Sequence, residues 1–230
     1  QQIQAILRHI PPGRTFDSSP DEPARAAVVQ SATSIDVDRS SLGLKPEDTA
    51  LADKSQETAP SLVVYCLGVF RVYQGDRLIT DWNGQKGKAI LKYLLAHRET
   101  PVAKDVLMDL FWTEADPESA RRSLHQAIYS LRQALRRGNP DFAHVYFEND
   151  CYLLNPEMSL WVDRIEFEKH LQAGQRLEAD GQISEAIGVY GIAESLYQGD
   201  YLEEDLYEDW PAAERERLRR TYCELADHLS

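Results

Sequence analysis

The stretch DPESARRSLHQAIYSLRQALRR, Asp116 to Arg137, reads as one long amphipathic helix. Ala120, Leu124, Ile128, Leu131 and Leu135 recur at the three-to-four spacing that brings side chains onto one helical face. Asp116 is placed to cap the first turn. Pro117 suits the first helical position, where its missing N–H is no loss. The opposite face carries Arg122, Ser123, Gln126, Tyr129, Ser130 and Gln133. A solvated helix face is ordinarily a mixture of Glu and Lys, but this one has no acid after Glu118. Donors without carboxylates are what a helix needs if it is to lie between phosphates and read base edges with Arg, Gln and Ser.

The segments around it set the fold. LVVYCLGVFRVYQGDRLIT is β-branched and aromatic, with a Gly75-Asp76 turn, and predicts a hairpin over Leu62–Thr80. Ile90, Leu91, Leu94 and Leu95 place a helix after Gly84. PVAKDVLMDLFW, opened by Pro101, predicts a short helix with Val106, Leu107, Leu110 and Phe111 inward. HVYFENDCYLLNP predicts two strands around an Asn149-Asp150 turn. A helix, a tight turn, a second helix and a hairpin make a helix-turn-helix followed by a β wing. The fold class expected is therefore an α+β winged helix-turn-helix followed by an all-α, TPR-like domain. Residues 163–230 supply the latter, as three helical segments around Gly181 and Pro211. Ala173, Gly174, Ala186, Gly188, Gly191 and Ala193 are small enough to let helices approach. The expected organisation is a linker over 1–60, a winged helix over 61–156 and the first part of a TPR-like domain over 157–230.

Charge is divided between these segments. The chain carries a net charge of -13, which argues against nucleic acid as partner of the whole. Between Ser61 and Pro140, however, 12 Lys/Arg stand against 8 Asp/Glu, and in residues 161–230 7 stand against 17. Such asymmetry suggests one module that meets phosphates and one that does not. Residues 1–60 are rich in Ser, Thr, Asp, Ala and Pro, too polar to offset the entropy of ordering. Cys66, Cys151 and Cys223 form no close pair, so neither a disulfide framework nor a zinc site is expected, and a reducing cytoplasm fits. No apolar run reaches the roughly 18 residues of a membrane span. The chain begins at Gln1 without Met, so it is expected to be a piece of something longer, its helical repeats continuing past Ser230.

LGVF at Leu67–Phe70, KAILKYLL at Lys88–Leu95, VLMDLFW at Val106–Trp112, SARRSLHQAIYSLRQAL at Ser119–Leu135 and CYLL at Cys151–Leu154 stand in an order and spacing that resemble the winged-helix domain of SARP-type activators. The segment from Leu160 to Tyr222 resembles the bacterial transcriptional activation domain of the same family. The resemblance implies a bacterial activator that binds double-stranded DNA at repeated promoter sites, self-associates there and recruits RNA polymerase. By match, the base-reading positions fall on Arg121, Arg122, Ser123, Gln126 and Tyr129. His125 shares the early part of the helix, and Arg132, Arg136 and Arg137 are placed for phosphates. Ser130 stands where such helices often carry Arg, and the wing tip Glu148-Asn149-Asp150 is not basic, so the wing is expected to contact DNA weakly, through Tyr146 or backbone groups. The opening QQIQAILRHIPPG resembles the end of a response-regulator receiver domain, which implies an upstream phosphorylation switch.

Two other readings are open at this stage. The acidic run GDYLEEDLYEDW, Gly199–Trp210, suits a module that docks on protein rather than DNA. In that reading its aromatic residues are buried and its carboxylates form an outward rim. An enzyme is disfavoured: there is no P-loop, no G-x-S-x-G and no H-E-x-x-H, and the six histidines are scattered. Gly84-Gln85-Lys86-Gly87-Lys88 lacks the Walker spacing and is expected to open a helix with Lys86 or Lys88 near the DNA backbone. No catalytic residue, cofactor, metal or small-molecule ligand is expected.

Overall fold

A computed structural model describes residues 61–136 and 140–230. The expectations for residues 1–60, and for Arg137, lie outside the described residues. Strand β1 (Ser61–Tyr65) turns back at Gly68 into β2 (Arg71–Gln74), which meets β3 (Arg77–Leu78) across the Gly75-Asp76 turn. Helix α1 (Gln85–Ala96) follows, then β4 (Val102–Ala103), α2 (Lys104–Phe111) and the long α3 (Pro117–Arg136). The wing is β5 (Val145–Glu148) and β6 (Cys151–Leu154), and β7 (Ser159–Val162) leads directly into α4 (Asp163–Ala179). Helices α5 (Ile183–Leu196) and α6 (Ala212–Leu229) complete the chain, separated by a 3-10 turn at Glu203–Asp205.

The strands form two sheets, in the orders β3-β2-β1-β7 and β4-β6-β5. The winged helix followed by helices is as expected, but Val106, expected inward, is exposed, and three further details differ. Leu62–Tyr73 is two strands, because Gly68, at φ +101°, turns the chain over within five residues. Val102 and Ala103 are a strand paired with Tyr152 and Cys151 rather than the start of a helix. Ser159–Val162, the first structured stretch after the wing, is a strand that runs parallel to β1, with Leu62 beside Leu160 and Val64 beside Val162.

One core lies under both sheets. Leu62, Val64 and Val72 point inward from the first sheet, against Ile90, Leu91 and Leu94 of α1 and Leu124, Leu131 and Leu135 of α3. Each such side chain contributes roughly 1.5–3 kcal/mol on burial. The other face of β1 is covered by aromatic side chains: the Tyr65 ring lies 6.0 Å from Tyr73 and 5.4 Å from Trp161.

The helical module is joined to the winged helix at β1's end. Asp163, the first residue of α4, is 1% exposed. Its carboxylate accepts the backbone N–H groups of Cys66 (2.8 Å), Leu67 (2.9 Å) and Arg164 (2.7 Å), and lies 3.0 Å from the Cys66 sulfur. Burial, and then the charge of Asp163, push the Cys66 thiol well up, so the sulfur keeps its proton and donates it. The same loop is gripped from the other side by the chain before the 3-10 turn: Leu202 N donates to Cys66 O at 2.8 Å and Gly68 N to Asp200 O at 3.0 Å. Arg215 of α6 holds that chain in turn, donating to the carbonyls of Tyr201, Leu202 and Asp205.

Replacing Asp163 by Ala orphans buried backbone donors at about 1–3 kcal/mol each. Asp163→Ala is expected to lower the unfolding free energy by about 3 kcal/mol or more in urea denaturation. A loss under about 1 kcal/mol would show that the loop Cys66–Gly68 holds its place without the carboxylate.

Candidate nucleic-acid interface

Helix α3 is built from its ends inward. Asp116 Oδ1 accepts the Ser119 N–H at 3.0 Å and caps the first turn. Hydrogen bonding from Ser119 holds the Asp116 carboxyl below its ordinary range. Ala120, Leu124, Ala127, Ile128, Leu131, Ala134 and Leu135 face the core. That leaves Arg121, Arg122, His125, Gln126, Tyr129 and Arg136 exposed on one continuous face, with Arg132 and Gln133 half-buried along it. Tyr129 is 58% exposed. Ser123 sits at the margin, half-buried. Ser130, which the sequence pattern put on the polar face, is instead buried. The exposed face ends at Glu118, whose carboxylate lies 3.5 Å from Arg121. Beyond that first turn the face is free of acids.

Helix α3 is seated by two contacts. Gly87 of α1 lies so close that a Cβ there would stand 3.0 Å from the Ala127 carbonyl and 3.2 Å from Leu131 N. Arg132 reaches the other way, its Nε and Nη2 donating to Val145 O at 3.3 and 3.0 Å. One edge of this guanidinium therefore ties α3 to the wing. Arg132 and Arg136 line a cleft of about 180 Å³ against His144, Val145 and Tyr146.

The wing tip is a tight turn with Asn149 and Asp150 both at positive φ. Asp150 is paired with Lys104 at 2.7 Å, and the Lys104 N–H donates to Asp150 O at 2.9 Å. Tyr146 is partly exposed, with its hydroxyl accepting from Asn155. The short wing leaves Tyr146, Phe147 and Glu148 exposed.

The acidic run differs most from expectation. Glu204 pairs with Lys88 at 2.8 Å, and Asp205 with Lys92 at 2.5 Å. Lys92 is only 4% exposed, and its ammonium sits 4.9 Å from the Phe70 ring. Glu204 and Asp205 thus neutralise α1 of the same chain, while Glu208 and Asp209 are exposed, as the rim reading expects. Lys88, expected near DNA, faces them, whereas Lys86 lies over the rings of Phe111 and Trp112. Tyr201 and Leu202 are buried and Trp210 packs on Tyr93, but Leu206 and Tyr207 are exposed, Tyr207 fully. Gly174 admits the Tyr190 ring between α4 and α5 as the small-residue pattern suggested. Gly188 and Gly191, by contrast, face open space.

Among the described residues no group of His, Cys, Asp and Glu is placed to hold a metal, and no helix is long and apolar enough to cross a membrane.

Residues 84–146 match the family described as "Transcriptional regulatory protein, C terminal", and residues 162–229 match "Bacterial transcriptional activator domain". The transcriptional regulatory proteins MoaR1 of Mycobacterium tuberculosis and Mycobacterium bovis are each 32% identical over 120 residues, 51% of this chain and 38% of theirs. The chain thus spans well under half the length of these relatives. Among solved structures, Mycobacterium tuberculosis EmbR, in complex with a low affinity phosphopeptide, superposes with a TM-score of 0.65 at 21% identity, over 74% of this chain and 45% of its own. That likeness is one of fold.

The seat of α3 on α1 leaves little room for a methyl group at Gly87. Gly87→Ala is expected to cost about 1–3 kcal/mol by thermal unfolding, since the neighbouring atoms are backbone and cannot turn aside. A neutral or stabilising result would mean that α1 and α3 sit further apart.

Proposed function

We propose that the chain is a SARP-type bacterial transcriptional regulator and that it binds promoter DNA by laying the outer face of α3 in the major groove; the two family matches, in this order along the chain, support the reading. The observation that carries this reading is the uninterrupted acid-free face from Arg121 to Arg136 on an otherwise acidic protein. Arg121, Arg122, Ser123, His125, Gln126 and Tyr129 contact base edges, where Arg suits guanine and Gln suits adenine. Arg136, and the edge of Arg132 not held by Val145, contact phosphates and fix register. The wing contributes weakly, because its tip carries Glu148 and Asp150. The chain acts as a regulator rather than a catalyst, working in the cytoplasm. It self-associates on repeated sites and recruits RNA polymerase from the surface left exposed once DNA is bound.

Binding to a duplex enriched from a random pool by this protein is expected to fall with salt, by about 0.9 in log K per log salt for each phosphate contact. Arg122→Ala and Gln126→Ala are each expected to cost roughly 1–3 kcal/mol on that duplex and much less on bulk DNA. Arg136→Ala is expected to weaken both about equally. If Arg122→Ala and Arg136→Ala behave alike, the reading face is misassigned, and salt-independent binding would contradict the interface as a whole.

A further inference from the structure

Strand β2 ends in a polar residue that faces the core. Gln74 lies on the same side of the sheet as Val72, pairs with Leu62 across the ladder, and is 9% exposed. Three groups meet its amide. Nε2 donates to the carbonyl of Leu135, in the last turn of α3, at 3.0 Å. The same nitrogen lies 3.3 Å from Nε2 of His144, the residue that leads into β5. Oε1 accepts from Nη2 of Arg77 at 2.9 Å.

Two of these partners have fixed roles. A backbone carbonyl only accepts and a guanidinium only donates. Turning the amide over would set oxygen against the Leu135 carbonyl and N–H against the Arg77 N–H, so a single orientation satisfies both. The NH2 group must then face His144, and the ring must offer its Nε2 lone pair. The imidazole is therefore neutral, with its proton on Nδ1, a buried nitrogen that has no hydrogen-bond partner of good geometry.

The joint matters because of what it connects. Leu135 O lies in the last described turn of α3, and the Gln74 amide donates to it. His144 stands at the root of the wing, its carbonyl accepting from Asn155 N at 2.9 Å. We propose that Gln74 is a positioning residue of the DNA-reading surface: its amide joins the last turn of α3 to the wing, and does so only against a neutral His144. This rests on the DNA-binding reading above.

The groups facing His144 are consistent with that state. Arg132 and Arg136 from α3 share its cleft, Arg77 from β3 lies beyond the amide, Tyr146 is on its own strand, and the Phe142 ring stands 5.0 Å away, edge to face. No carboxylate is among the residues lining the cleft. Burial, partly offset by the Phe142 carbonyl and reinforced by Arg136, holds His144 below the ordinary imidazole range. A histidine depressed in the folded state contributes stability that is present above its unfolded value, about 6.5, and lost as pH falls through the folded one. Protonation would turn Nε2 into a donor facing a donor, and the joint would open.

The test uses the 15N-labelled 230-residue chain, the duplex it selects from a random pool, and bulk genomic DNA. In wild-type protein near neutral pH, the His144 imidazole should show Nδ1 protonated and Nε2 bare. Gln74→Leu keeps the side chain's bulk and removes its hydrogen bonds. It is expected to lose about tenfold in affinity for the selected duplex while bulk binding changes little, since phosphate contacts carry no sequence information. Wild-type specific binding should weaken on acidification, as His144 takes up its proton, and Gln74→Leu should lack that step. Gln74→Glu sets a carboxylate beside the ring and should raise the His144 pKa above wild type. A protonated Nε2 in wild type would overturn the joint. Equal loss on both DNAs, or loss of thermal stability with the affinity ratio unchanged, would reduce Gln74 to a structural residue. If wild type binds no duplex, the DNA reading falls and this positioning role with it, while the imidazole spectrum still decides whether the joint exists.

Discussion

The carboxylate of Asp163 is buried at the place where the winged helix gives way to the helical module. An unpaired buried charge would be costly, and this one is met by three backbone N–H groups and a thiol rather than by a cation. It also stands at the N-terminus of α4, where the helix dipole favours a negative charge. Three of its four donors belong to the loop Cys66–Leu67, so one side chain fixes both the start of the helical module and the end of β1. Strand β7 can pair with β1 because Asp163 follows it directly. The loop before the 3-10 turn reaches Cys66 and Gly68 from the far side, and α6 is tied to that loop through Arg215. The two modules therefore share a sheet, a buried carboxylate and a clamped loop, and the described residues from Ser61 onward form one compact unit.

That junction also disposes of charge. A strongly acidic protein that binds DNA must keep its carboxylates away from the reading face. Here Glu204 and Asp205 are folded onto Lys88 and Lys92 of α1, and Asp150 of the wing onto Lys104. In the helical module, Glu214 is held below its ordinary range by hydrogen bonding from Arg217 and the charge of Arg164. The arginines of α3 beyond the first turn have no such acidic partners among the described residues. Arg121 has Glu118 near it, at 3.5 Å and exposed to solvent, a pair worth little, and the charge of Arg122 acts on the capping Asp116. Several carboxylates near the winged helix are thus drawn into ion pairs within the chain, and the face of α3 keeps its donors.

Much of this was legible in the sequence, because it depended on local pattern. The period of Ala120, Leu124, Ile128, Leu131 and Leu135 places α3 and its outer face almost residue by residue. The turns at Gly75-Asp76 and Asn149-Asp150 lie where their composition put them. What depended on distant partners was not legible. Val102–Ala103 and Ser159–Val162 are too short to show a period and become strands only because β6 and β1 lie beside them. Ser130 looks like surface until the helix is rotated onto its core. The carboxylates of Glu204 and Asp205 look like a solvated run until α1 presents two lysines over 110 residues away in sequence. Gln74 carried one faint sign: it occupies an inward position of a strand whose other inward residue is Val72.

The central claim is that the outer face of α3, and not the acidic helical module, meets nucleic acid. Titrating the 15N-labelled chain with the duplex it selects, and following the backbone and arginine side-chain resonances, tests this residue by residue. The account predicts shifts concentrated at Arg121, Arg122, His125, Gln126, Tyr129 and Arg136, with smaller changes at Tyr146 and none along α5. Shifts centred on Leu206–Asp209 or on α5, with α3 silent, would contradict it.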